Sequence, residues 1–145
     1  MQTIAILITS LIVCRVFPNQ AVSVLNAGIS EDRILQDLPM NGVKALDRLN
    51  RDVFSQTGVI DVILLEGTND IAKSPHNYDA NQIIAGMKQI ATQAHEKGLR
   101  IYMGTLTPFR DAAYPQYDWT FAEQGDKTRK QINEWIRSTK VDVNF

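Results

Sequence analysis

The amino-acid sequence predicts an α/β protein built on a parallel β-sheet. Apolar runs rich in β-branched residues, of which Val59–Leu65 is the clearest, are typical of strands buried on both faces. They alternate with segments whose apolar residues recur at helical spacing, and such helices join parallel strands by right-handed crossovers. The polar segment Gly67–Asp70 follows the clearest strand directly. We therefore expect ligand-binding residues at the carboxyl ends of the strands.

Composition favours one domain and excludes several partners. The 145 residues, 44% of them apolar, suffice for one domain with a hydrophobic core. A net charge of −1, from 15 basic and 16 acidic residues mixed along the chain, provides no basic stripe for nucleic acid. Cys14 is the only cysteine, so the sequence excludes an intrachain disulfide.

The segment Met1–Phe17 allows two interpretations. It is nearly all apolar, and its first 14 residues are uncharged, which is too short a stretch to span a bilayer. It lacks the basic start and cleavage site of a signal peptide, so localisation stays open between cytoplasm and secretion. The segment is either a strand over Thr3–Thr9 or a short buried helix over Ile4–Phe17 that Pro18 ends.

The next elements alternate as the fold class requires. Val22–Asn26 predicts a short strand that turns at Gly28. A helix follows and ends before Gly58, and Val59–Leu65 is the next strand. Apolar residues at steps of three, three and four place one face of that helix on the sheet: Val43, Leu46, Leu49 and Val53.

The polar segment after Leu65 also has two interpretations. Gly67 permits a turn that a side chain would crowd, and the short polar side chains after it bond nearby backbone. The simpler interpretation makes Asn69 or Asp70 a helix N-cap. In the functional interpretation, the Asn69 amide points a hydrogen-bond donor at a bound oxygen.

The remaining chain continues the alternation. After a loop with His76, a second amphipathic helix is predicted to end at Gly98, and Leu99–Leu106 is the third clear strand. The apolar face of that helix comprises Ile83, Ile84, Met87, Ile90, Ala91 and Ala94. Lys127–Ser138 predicts a third helix with Ile132, Trp135 and Ile136 turned inward, and Val141–Phe145 starts another strand pattern. The aromatic residues of the loop 110–120 either pack over a sheet edge, which we favour, or line a pocket: Tyr114, Tyr117 and Trp119.

Three motifs, spread between Val22 and Ile136, resemble those of the SGNH hydrolases, the GDSL-type lipases and esterases. Glu66–Ile71 resembles their Gly-x-Asn-Asp block, Val24–Ser30 the block that supplies a glycine, and Thr105–Phe109 a later strand end. The resemblance implies a three-layer α/β/α sandwich with a parallel, flavodoxin-like sheet. Since a helix precedes the corresponding strand in that family, it also favours the helix Ile4–Phe17.

The resemblance assigns oxyanion donors. It implies that the Gly28 backbone N–H and the Asn69 side chain lie together beyond neighbouring strands and bind one developing oxyanion. The block departs from the family at Glu31-Asp32, where relatives often carry Gly-Asn.

The remaining catalytic groups are not recognisable. The Gly-Asp-Ser block of the nucleophile and the Asp-x-x-His block are absent, and Ser10 lacks the neighbours of a family nucleophile. His76 and His95 show no catalytic or zinc spacing. Without a histidine–cysteine cluster or a phosphate loop, we expect no metal and no cofactor.

Two functions follow from these motifs. The first is a serine esterase or acylhydrolase of the SGNH type acting on carboxylic esters such as acetylated sugars or polysaccharides. Residues 1–145 would then be a single domain that we expect to be truncated at both ends, with the nucleophile and the His-Asp pair outside these residues. The second is a non-catalytic SGNH-like domain that binds acylated or sugar ligands. Both imply a small-molecule or carbohydrate ester as partner, with no nucleic acid and no membrane span; oligomeric state is left open.

Overall fold

The structure, a computed structural model, describes residues 2–8, 22–39, 42–109 and 123–139, with the first strand described by its backbone. In these ranges one parallel sheet has the strand order β2-β1-β3-β4. Its strands are β1 Gln2–Ile8, β2 Val22–Asn26, β3 Val59–Leu65 and β4 Arg100–Met103. The parallel sheet predicted from the alternating pattern is confirmed.

Helical segments connect and cover these strands. They are α1 Ala45–Leu49, which continues as a π-helical turn over Asn50–Phe54, α2 Thr68–Ala72, α3 Ala80–Glu96 and α4 Glu123–Ser138. None of the helices in the described part of the chain is long and apolar enough to cross a membrane.

The favoured helix at the amino terminus is wrong over the residues that the structure describes. Gln2–Ile8 is the inner strand β1, which pairs with β2 at Ile4↔Val24 and with β3 at Ile6↔Ile63. Hydrogen bonds to a parallel neighbour on each side outweigh a weak local helical preference, and β-branched isoleucine favours a strand. The rest of the predicted helix, residues 9–17, lies outside the described residues.

The other strand predictions are confirmed, one of them in shortened form. β2 and β3 match Val22–Asn26 and Val59–Leu65, but β4 ends at Met103 instead of Leu106. Leu106 leaves the sheet because its backbone N–H and carbonyl bond to the Asn133 side chain of α4, at 2.7 and 2.8 Å. This side-chain pairing replaces a strand partner for Leu106.

The helix predictions hold with one exception. Val43 precedes α1 and is 41% exposed, whereas Leu49 and Val53 are fully buried. Helix α3 begins after Asp79, whose carboxylate accepts from the Asn81 N–H at 2.9 Å. It ends at Glu96, and Gly98, just beyond the C-cap residue Lys97, has a φ of +71° and donates to the His95 carbonyl at 2.8 Å, as expected of a glycine that stops a helix. The buried core draws on β3, α1 and the two long helices: Val62, Leu64, Leu49, Ile83, Met87, Ile90 and Ile132.

Gly86 of α3 provides a test of how the loop after β2 packs on this helix. A Cβ at Gly86 would lie 2.6 Å from Ile34 Cγ2 and 2.7 Å from Leu35 Cδ2. Alanine gains ~1 kcal/mol of helix propensity over glycine, but overpacking a filled contact costs ~1–3 kcal/mol. We expect Gly86→Ala to destabilise the protein by about 1 kcal/mol in urea unfolding.

The matched control lies on the exposed face of the same helix. Gln89→Ala should change stability by less than ~0.5 kcal/mol, since Gln89 is exposed. A Gly86→Ala protein more stable than the parent would show that the loop does not pack on α3 in solution.

Candidate functional site

The carboxyl end of β3 turns sharply into α2. Gly67 takes a φ of +111°, which is accessible to glycine, and a Cβ there would lie 3.2 Å from Met87 Cε. Helix α2 begins at Thr68, so Gly67 occupies the N-cap position and no side chain caps the helix. The N-cap interpretation of Asn69 and Asp70 is therefore wrong, and both side chains are used elsewhere.

Asn69 lies in a small pocket beyond the strand ends. The pocket measures about 50 Å³ and is lined by Leu65, Glu66, Thr68, Asn69 and Thr107. Because Thr107 follows β4, the pocket lies beyond the carboxyl ends of both β3 and β4. The Asn69 Nδ2 donates to the Asp32 carbonyl at 3.0 Å, which orients the amide.

Asp32 belongs to the same loop as Gly28, so the structure brings the two predicted blocks into contact. The Gly28 N–H donates to Asn26 Oδ1 at 2.8 Å, in an exposed hydrogen bond. A ligand oxygen would have to replace the Asn26 oxygen to accept from Gly28. The expectation that the strands preceding Gly28 and Asn69 are neighbours is wrong, because β1 lies between β2 and β3. That Gly28 and Asn69 serve one oxygen stays a prediction.

Glu31 explains how the loop tolerates its departure from the family pattern. Its φ of +67° lies in the left-handed region that favours glycine, the residue that relatives often have at this position. The Glu31 carboxylate pairs with Lys73, whose side chain is 10% exposed, in the segment after α2. The ion pair offsets part of the backbone cost and ties the Gly28 loop to the Asn69 segment.

Further hydrogen bonds dock these two segments on each other. The Asp70 carboxylate accepts from the backbone N–H groups of Ile34 and Leu35, at 3.0 and 3.2 Å. The Arg33 guanidinium donates to the carbonyls of Ser74 and Pro75, at 2.8 and 2.9 Å. The Asn69 segment and the Gly28 loop therefore each contribute a side chain that bonds the backbone of the other.

A buried ion pair between Arg48 and Asp32 also anchors the Gly28 loop. Arg48 is 1% exposed and Asp32 2% exposed, and Arg48 Nε donates to Asp32 Oδ2 at 2.8 Å. Arg48 Nη1 also donates to the Ala27 carbonyl at 2.7 Å. Burial raises the pKa of Asp32, and the Arg48 guanidinium opposes that rise. Sequence reasoning missed this pair. Arg48 lies three residues after Ala45, on the buried face of α1.

Glu66 is the second buried acid that sequence reasoning missed. It is 3% exposed, and its Oε1 has no hydrogen-bond partner within the described ranges. Burial, together with the nearby Asp32 and Asp70, raises the pKa of Glu66 to about 9, with Arg48 opposing. Glu66 is therefore a neutral carboxylic acid at neutral pH. The feature of the sequence that could have revealed it is a single acidic residue directly after an apolar strand.

The two histidines occupy opposite ends of the sheet. His95 is exposed in the last turn of α3, which leads to the amino end of β4, whereas Asn69 follows the carboxyl end of β3. The length of a seven-residue strand, ~20 Å, separates these ends. His76 lies after α2, where its Nδ1 contacts the Ile71 carbonyl at 2.9 Å and its ring stacks on Tyr78 at 5.4 Å.

Several predicted residues lie outside the described ranges. They are Ser10, Cys14, the aromatic residues Tyr114, Tyr117 and Trp119, and the predicted strand Val141–Phe145. Within the described ranges, no group of three or more histidine, cysteine, aspartate or glutamate residues could hold a metal ion.

The sheet order defines the chain as an open-sheet α/β protein, and a polar pocket lies beyond its strand ends. The GDSL-like lipase/acylhydrolase family model matches residues 12–145, so the chain belongs to that family. The predicted family and the α/β sandwich fold are confirmed.

Solved structures share this fold at low sequence identity. An aryl esterase from M. smegmatis is 14% identical with a TM-score of 0.73, covering 94% of this chain and 78% of its own. A carbohydrate acetylesterase from Sinorhizobium meliloti is 16% identical with a TM-score of 0.69 and the same coverages, 94% and 78%. A lipase/acylhydrolase from Enterococcus faecalis is 18% identical with a TM-score of 0.59, covering 94% and 71%. No curated protein matches significantly.

Proposed function

We propose that this chain acts on carboxylic esters and that the Gly28 N–H and the Asn69 amide are its oxyanion donors. The observation that carries the proposal is the position of Asn69. Its side chain lines a pocket beyond two strand ends and bonds the loop that holds Gly28. Belonging to the GDSL-like lipase/acylhydrolase family supports the reaction class.

The Asn69 amide suits this role because it is oriented before a ligand arrives. An amide nitrogen carries two N–H bonds, and the Asp32 carbonyl accepts one of them at 3.0 Å. The second N–H can donate to an ester oxygen, whose negative charge grows as a nucleophile adds to the carbonyl carbon. A donor held in place needs no reorganisation at that moment, which is the source of oxyanion stabilisation.

The size of the pocket favours a small acyl group. The space next to Asn69 is small, about 50 Å³, which favours a short acyl group such as acetyl. The polar lining residues Glu66, Thr68 and Thr107 suit the carbonyl end of such a group better than a long hydrocarbon chain. We propose acetylated small molecules or sugars as the substrate class, in line with the carbohydrate acetylesterase that shares this fold.

A specific observation favours a second candidate, a binding domain without turnover. His95 is at the opposite end of the sheet from Asn69, and His76 is engaged by the Ile71 carbonyl and the Tyr78 ring. If the chain binds acylated ligands without hydrolysing them, the same pocket would hold the acyl oxygen.

Turnover of p-nitrophenyl acetate distinguishes the two candidates. We expect Asn69→Ala to lower the rate by ~10²–10³, the ~2.7–4 kcal/mol that one oxyanion donor contributes. His95→Ala should leave the rate unchanged, as should His76→Ala and Ser10→Ala if no serine of this chain is the nucleophile. Asn81→Ala, at an exposed position in the first turn of α3, is the matched control for the asparagine.

Thermal unfolding of each variant separates a catalytic loss from a folding loss. A rate unaffected by Asn69→Ala would refute the assignment of Asn69. An organophosphate that labels one serine stoichiometrically and abolishes turnover would show that these 145 residues contain the nucleophile. Acetate binding without any turnover would favour the binding domain.

A further inference from the structure

We propose that Glu66 is a third hydrogen-bond donor of the Asn69 pocket, donating its carboxylic acid O–H to the oxygen of a bound acyl ligand. This inference rests on the proposed function, since it concerns the same pocket. Glu66 is not one of the two proposed oxyanion donors, and the motifs assign it no role.

The first argument is the position of the carboxyl group. Glu66 and Asn69 line one pocket of about 50 Å³, so both residues border the space that an acyl oxygen would occupy. Glu66 is 3% exposed and directly follows the last residue of β3, Leu65. The backbone therefore holds Glu66 in place without help from flexible surface groups.

The second argument is the contrast with the neighbouring acid Asp70. Asp70 is equally buried, but its two carboxylate oxygens accept from the backbone N–H groups of Ile34 and Leu35. Glu66 Oε1 is buried with no hydrogen bond to any residue in the described ranges. Buried polar groups are nearly always bonded, so the Glu66 carboxyl, in a residue that lines a pocket, has hydrogen-bonding capacity that the described residues leave unused.

The third argument is the charge of the surroundings, which keeps Glu66 protonated. Asp32 from the Gly28 loop and Asp70 from α2 repel a negative Glu66, and Arg48 from α1 attracts it. Arg48 is bonded to Asp32 and Asp52, at 2.8 and 3.2 Å, and makes no hydrogen bond to Glu66; its attraction does not cancel the effect of burial on the Glu66 pKa. A neutral carboxylic acid has one O–H to donate, and an oxygen that gains negative charge is its strongest acceptor.

Acetate is a suitable probe because it places a carboxylate oxygen in the pocket without requiring turnover. Its affinity can be measured from the NMR shift of the Asn69 side-chain amide as acetate is added. In the parent protein we expect the affinity to hold steady up to about pH 8 and then fall, up to tenfold per pH unit above about pH 9. The fall marks the loss of the Glu66 proton.

Two variants separate donation from packing. Glu66→Gln keeps an N–H donor and cannot ionise, so acetate should bind within several-fold of the parent and without the fall above about pH 9. Glu66→Leu fills a similar volume without a donor and should bind acetate about 10- to 100-fold more weakly, the range for a hydrogen bond to a charged group. Glu96→Gln, at an exposed position of α3, should match the parent at every pH.

Stability against pH provides a readout that needs no ligand. The folded pKa of Glu66, about 9, exceeds the unfolded value of 4.5, so its contribution to stability is complete below pH 4.5 and is lost as pH rises to about 9. Glu66→Gln should lack this loss. An infrared carboxylic-acid band that disappears in Glu66→Gln would show the proton directly.

Opposite results would overturn the inference. They are the same pH dependence of acetate binding in the parent and in Glu66→Gln, parent-like binding by Glu66→Leu, or no acetate binding by the parent. Failure of this inference can be distinguished from failure of the proposed function. Turnover that depends on Asn69 but not on Glu66 would refute this inference alone, whereas Glu66-dependent acetate binding without turnover would refute hydrolysis alone.

Discussion

Replacing Arg48 by alanine is expected to destabilise the protein by ~3–5 kcal/mol, the cost of removing one partner from a buried ion pair. Arg48 and Asp32 are 1% and 2% exposed, so the variant leaves a carboxylate without its guanidinium inside the fold. The Ala27 carbonyl also loses its donor at 2.7 Å. Urea unfolding at constant pH measures the loss.

The pH dependence of that loss follows from Asp32. Burial already raises the pKa of Asp32, and removing Arg48 takes away the group that opposes the rise. In the variant, the stabilisation from protonated Asp32 is lost as pH rises through this higher pKa, so the difference from the parent should be larger at pH 8 than at pH 5.

Arg51 is the matched control because it also pairs with an aspartate, Asp52, but from the surface. The Arg51 side chain is 67% exposed, and Arg51→Ala should leave stability almost unchanged. Equal effects of Arg48→Ala and Arg51→Ala would contradict the buried position of Arg48.

Replacing Asp70 by alanine is expected to cost ~2–4 kcal/mol, because a buried donor left unsatisfied costs ~1–3 kcal/mol and a second, part-buried donor loses a hydrogen bond of ~1 kcal/mol. The two donors are the N–H groups of Ile34 and Leu35, at 3.0 and 3.2 Å from the carboxylate. Burial raises the pKa of Asp70 while these N–H groups oppose the rise, so removing a desolvated carboxyl recovers part of the cost. Chemical denaturation gives the net value.

The conservative variant distinguishes hydrogen bonding from packing. Asp70→Asn keeps one accepting oxygen and turns an amide N–H toward the second donor, so its loss should fall between the parent and Asp70→Ala. Asp47→Ala, at an exposed aspartate that pairs with Lys44, should have little effect. If Asp70→Ala were as stable as the parent, the Gly28 loop could not be docked through Asp70.

Arg48→Ala and Asp70→Ala also test the site, because Arg48 and Asp70 both anchor the loop that bears Gly28. Arg48 holds the loop through Asp32 and Ala27, and Asp70 holds it through Ile34 and Leu35. A folded variant with a loosened loop should lose oxyanion stabilisation even though the Asn69 side chain is intact.

The sequence by itself determined the elements whose patterns are local. The buried strand Val59–Leu65, the helix that carries Ile83 and Met87, and its glycine stop at Gly98 follow from hydrophobic period and backbone freedom within a few residues. Asn69 was found because a polar residue directly after a buried strand has a defined place in an α/β sheet.

Tertiary structure decided the rest, because the deciding partners are distant in the chain. Gln2–Ile8 became a strand because β2 and β3 pair with it on both sides, and Leu106 left the sheet because Asn133 binds its backbone. Asn69 and Asp70 do not cap a helix because the loop from Asp32 to Leu35 offers them partners more than thirty residues away. The pKa of Glu66 rises to about 9 through burial among charges from three segments, which no local pattern in the chain encodes.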